Sequence, residues 1–212
     1  MPARQNGGMA DRVYLSLWMD GFSAEGMLPA WAKTLAEFPV SSFSPGIREL
    51  AVYPFHWGEA PVLKQSFQEG TGVGDAVALA AEFLHEDYAY EVELNWDAWV
   101  PREPGSLEQW EKVAQIVSVA CLGPQFEDED TEDHPNLLLD LGLDSLFLPE
   151  DVDPEVLEEG LQGVAGNCYR ENISQLLGYV QRLEENLPVA RRMLWSSSGE
   201  DLAERIRAAY GP

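Results

Sequence analysis

Positive charge is what this chain has least of. Thirteen Lys and Arg stand against 37 Asp and Glu in 212 residues, a formal charge of −24. A field of that sign repels phosphate backbones and anionic lipid, so nucleic acid and membrane surfaces are expected not to be partners. Cysteine is scarce too. Cys121 and Cys168 are the whole complement, too few for a disulfide scaffold. No run of 18 apolar residues occurs and Met1 to Gly8 lacks an apolar signal core, so the expected location is cytoplasmic. The three histidines, His56, His85 and His134, are isolated and share no ligand spacing with either cysteine.

What is present is apolar bulk. Hydrophobic residues make up 45% and seven are Trp, enough to build a core. The acid is uneven: no Lys or Arg lies between Lys112 and Arg170, and residues 127–160 hold 14 Asp and Glu. The densest stretch, Glu127-Asp-Glu-Asp-Thr-Glu-Asp-His134, lacks the glycine and the distal glutamate of a calcium loop, so it reads as a solvated turn.

Periodicity predicts the elements. Residues 1–11 read as a disordered leader. Val13–Met19 alternates as a strand, and Leu28, Trp31, Leu35 and Phe38 recur at helical spacing with Pro29 placed in a first turn. Ile47–Trp57 and Val62–Gln68 read as strands, Pro54 marking an edge or a bulge. Asp75 is the expected N-cap of a helix carrying Leu79, Ala80, Phe83 and Leu84. Tyr88–Trp96 alternates apolar with acidic residues, the pattern of a half-solvated sheet. This β-α-β-β-α-β order resembles the split arrangement of ferredoxin-like folds, a likeness of topology that implies no chemistry.

Residues 101–112 read as a linker. Beyond it lie strands at Val113–Leu122 and Leu137–Phe147, a helix with Ile173, Leu176, Leu177, Val180, Leu183 and Leu187 inward, a strand Arg192–Ser196 and a helix Glu200–Tyr210. Leu194-Trp195 echoes Leu17-Trp18. The expected class is therefore α+β. Two packed halves, 12–100 and 113–212, would form mainly antiparallel sheets covered by helices, the second a related β-β-α-β-α unit in a tandem repeat.

No segment carries a catalytic, cofactor or metal motif. Gly70, Gly72 and Gly74 precede a helix, but no Lys-Ser/Thr pair follows and Asp75 takes the third dinucleotide position. Ser197 and Glu200 have capping-box spacing. Cys121 lies in an apolar strand, where a thiol is inert. Trp18, Trp57, Trp96, Trp99 and Trp195 fit either core packing or a sugar or peptide site, and Trp195 is expected as a core anchor. The functional expectation is a non-enzymatic interaction protein. Its acidic surface, with Asp128, Asp130, Glu132 and Asp133, would bind a basic protein or drive self-association. The alternative is an enzyme or small-molecule binder with a pocket between the halves.

Overall fold

The computed structural model describes residues 11–103, 106, 108–127, 134–149, 163–199 and 201–210. Seven strands form one antiparallel sheet in the order β3-β2-β4-β5-β6-β1-β7. They are β1 Arg12–Met19, β2 Ile47–Pro54, β3 Leu63–Ser66, β4 Tyr88–Pro101, β5 Trp110–Leu122, β6 Leu137–Leu143 and β7 Val189–Ser196. Four helices accompany them among the described residues: α1 Ala24–Ala36, α2 Val73–Ala81, α3 Val164–Asn186 and α4 Leu202–Tyr210. Among those residues no helix is long and apolar enough to cross a membrane.

The sheet is built on the β4–β5 hairpin, paired continuously from Ala89↔Leu122 to Pro101↔Trp110. Of the segment 101–112 expected as a linker, Pro101 ends β4 and Trp110–Lys112 begin β5, so it lies within one hairpin. Alternation sends Tyr90, Val92, Leu94 and Trp96 of β4, with Val117, Val119 and Cys121 of β5, into one core. Val13, Leu15 and Leu17 of β1 and Leu137, Leu139 and Leu141 of β6 extend the same surface. All four helices contribute to this core, through Trp31 and Leu35, Ala76 and Ala80, Leu176 and Leu183, and Leu202. The described helices thus all pack on one face of the sheet.

The order of elements is as expected, but the ferredoxin-like half does not close on itself. That arrangement would set β1 beside the strands of its own half. Here β1 pairs with β6 through Leu15↔Leu139 and with β7 through Leu15↔Leu194. Asn136 fixes the junction, donating its N–H to Leu17 O at 2.8 Å while its side-chain oxygen accepts from Met19 N–H at 2.7 Å. Nothing local in an alternating strand names its neighbour, so pairing goes to whichever arrangement buries most apolar surface. The Leu-Trp segments that echo each other in sequence lie on adjacent strands.

Four further expectations are corrected. α1 begins a turn before Pro29, because Ser23 Oγ accepts from Gly26 N–H at 3.2 Å and caps it there. Pro29 then sits inside the helix on its exposed side, where water can solvate the carbonyl left without a donor. α2 is capped at Gly72, placing Asp75 in the first turn, where a carboxylate meets the positive helix end. α4 is capped by Asp201, whose carboxylate accepts from Glu204 N–H at 3.0 Å; Ser197 instead donates to Asp11 and accepts from Arg12 N–H. In α3 the buried stripe runs through Asn172, Leu176, Tyr179 and Leu183, leaving Leu177 59% exposed.

Leu94 is fully buried in β4, so Leu94→Ala should cost about 2–5 kcal/mol through the cavity it leaves. Leu177→Ala should stay within about 0.5 kcal/mol. Urea unfolding of both variants measures the contrast.

Candidate binding groove

Every core residue of a strand has neighbours that emerge on the opposite face. On that face, opposite the described helices, lie Tyr14, Ser16 and Trp18 of β1, Glu91 and Glu93 of β4, and Ser118 and Ala120 of β5. Leu138 and Asp140 of β6 and Met193 and Trp195 of β7 complete it. A small second cluster forms there, with Ala89, Ala120, Leu122 and Phe126 buried and Tyr53, Trp57 and Leu138 packed against it. The two alanines leave room for Trp57, whose ring centroid is 5.1 Å from Tyr53 and 5.2 Å from Phe126.

The turns that place Trp57 are unusual. Phe55 and Glu127 have φ of 61° and 57°, a left-handed conformation that bulky side chains rarely adopt. They are joined directly, Glu127 N–H donating to Phe55 O at 2.8 Å, while Phe55 N–H donates to Asp87 O at 2.8 Å. Gly123 allows the second turn to approach: a Cβ there would stand 2.3 Å from Glu86 O. Strained backbone held in place by its surroundings is characteristic of binding sites.

Trp57 stands between two depressions. The larger, about 520 Å³, is lined by Trp18, Trp57 and Trp195 with Leu122, Leu138 and Met193, and by Glu127, His134, Arg191 and Arg192. Trp195 stacks on Tyr14 with centroids 4.6 Å apart, and its Nε1–H donates to Ser16 Oγ at 3.0 Å. The Arg191 guanidinium lies 3.6 Å from the centre of the Trp18 ring, a cation–π contact. The smaller depression, about 180 Å³, is lined by Tyr14, Trp57, Leu138, Glu91, Ser118 and Asp140.

Asp140 is held by Arg12 Nε at 2.6 Å and by Gly142 N–H at 3.0 Å. Glu91 is half-buried. Desolvation pushes its carboxyl above the usual range against a hydrogen bond from Ser118, and the nearby charges of Glu93, Asp140 and Glu49 add to the rise. Cys121 is fully buried, and desolvation pushes its thiol far up, away from nucleophilic chemistry.

The five tryptophans considered from sequence therefore divide. Trp96 is a core residue between Phe38 and Phe147, and Trp99 packs near Lys112 at 5.7 Å. Trp18, Trp57 and Trp195 meet at the groove. Trp195 is half-exposed and is no core anchor, because β7 lies at the sheet edge and turns this ring away from the helices. Asp128, Asp130, Glu132 and Asp133 lie outside the described residues, but the stretch they belong to joins the fold at Glu127 and His134, which both line the groove. Tyr14, Glu91 and Leu138 escaped sequence reading. Their alternation was legible, but which strands would lie side by side was not.

Two outcomes test this geometry. Trp195→Ala should cost about 1–3 kcal/mol, for one stacked pair and one hydrogen bond, and thermal unfolding reads it. Because the folded state holds the Glu91 proton more tightly than the unfolded chain, its ionisation opposes folding. The penalty is complete at neutral pH and fades as pH falls through the carboxylate range. Glu91→Gln should therefore raise the melting temperature at pH 7 and lose that advantage at acid pH. No protein-family model, curated protein or solved structure matches this chain.

Proposed function

We propose that this is a non-catalytic interaction protein that captures a basic protein partner on the sheet face opposite the described helices. The observation behind the reading is the convergence of Trp18, Trp57 and Trp195 around an open groove flanked by Glu127 and His134, the two ends of the acidic stretch. Half-exposed aromatic rings are the side chains that most often carry binding energy at interfaces. The charge of −24 acts at longer range, raising encounter rates with a cationic surface. In this reading Asp128, Asp130, Glu132 and Asp133 steer and the tryptophans anchor. Self-association fits less well, since two copies repel.

A second reading has one observation in its favour. The groove draws Trp18 and Trp57 from residues 12–100 and Leu138, Met193 and Trp195 from residues 113–212, where a small molecule or substrate held between the halves would bind. An open sheet face suits an extended chain better than a ligand that must be enclosed.

The two readings separate by salt. Captured partner should fall away as ionic strength rises, because exposed attraction is screened beyond about 10 Å at 0.1 M. Changing Asp128, Asp130, Glu132 and Asp133 to Asn or Gln should slow association at low salt with little change in melting temperature. Trp195→Ala should weaken capture at every salt concentration. A bound small molecule that survives high salt and is indifferent to the four acids would favour the second reading.

A further inference from the structure

We propose that the smaller depression on the sheet face opposite the described helices, lined by Tyr14, Trp57 and Glu91, receives a lysine or arginine side chain of the partner. The neighbouring groove would seat an apolar side chain of the same extended segment. This rests on the binding reading above and names the chemistry that the site selects.

Three observations carry it. The first is the state of the carboxylates on this face. Glu49 is paired with Lys64 at 2.9 Å and Asp140 with Arg12 at 2.6 Å. Glu91 accepts a hydrogen bond from Ser118 and, like Glu93, makes no ion pair among the described residues; of these two only Glu91 lines the depression. A half-buried charge without a cation costs stability, and a chain that keeps one in a depression breaks a folding rule where function is the usual reason. The second is the walls. Aromatic rings beside a carboxylate suit the two parts of a basic side chain, its apolar stem and its cationic head. The third is placement. Trp57 and Leu138 line both depressions, so side chains two or three residues apart on an extended chain, roughly 7–10 Å, reach both. The net charge of −24 favours the same class of partner.

The test uses the full chain and a synthetic peptide carrying one Lys and one Leu two residues apart in a Gly/Ser background. A second peptide has the same lysine acetylated. Trp fluorescence follows titration to millimolar concentration. Glu91→Gln and lysine acetylation should each weaken binding about tenfold or more, as expected when a charge-assisted contact is lost. Acetylation should cost nothing further once Glu91 is Gln. Glu93→Gln removes the same charge from the same face outside the depression, where Glu93 faces Glu49, and should change affinity by less than about threefold. Equal losses in Glu91→Gln and Glu93→Gln would reduce the effect to surface charge and overturn the proposal. Unchanged affinity in Glu91→Gln would overturn it too; if Trp195→Ala still abolished binding, the groove reading would survive. Failure of the wild type to bind either peptide would overturn both.

Discussion

The insertion of β1 between β6 and β7 is the pairing on which the rest of this structure depends. It joins the first residues of the fold to its last strand, so seven strands make one sheet. It buries Val13, Leu15 and Leu17 against the helices. By the same alternation it must present Tyr14, Ser16 and Trp18 on the other side, next to Trp195 and Met193 of β7. The core and the groove are two consequences of one register, and a slip of one residue would exchange them.

With the described helices all on one face of the sheet, the other face must satisfy its own side chains. Here part of that surface is closed by the small cluster beneath Trp57, where Ala89 and Ala120 make room for large rings. The remainder is left half-open, with aromatic rings and carboxylates side by side. Exposed rings beside carboxylates suit the contact proposed above, and strong negative charge narrows which partner would fit it. The joined left-handed turns at Phe55 and Glu127 fit this picture, because they hold Trp57 over the sheet at a conformational cost.

Glu91 shows the same conflict at one residue. Its neighbours across the sheet are Ala51 and Ala120, which offer neither a charge nor a hydrogen bond from their side chains. A neutral residue would suit the fold better there. A cation arriving from outside would supply what the fold withholds, exchanging a cost in stability for strength in binding.

The sequence by itself determined the class, the order of elements and most of the core. Period-two runs such as Tyr88–Trp96 and the spacing of Leu176, Val180 and Leu183 record which side of an element is apolar, and burial follows directly. It also singled out Trp18, Trp57 and Trp195, without separating them from Trp96. Leu177 was misplaced because an apolar residue beside a helical stripe cannot be told from one within it until the helix docks. Only the tertiary structure decided that β1 crosses to the far half of the sheet, that the four described helices share one face, and that Glu91 and Tyr14 share a depression. The physical reason is that alternation is a local property, whereas the choice of partner strand is set by the total surface buried when the whole chain collapses.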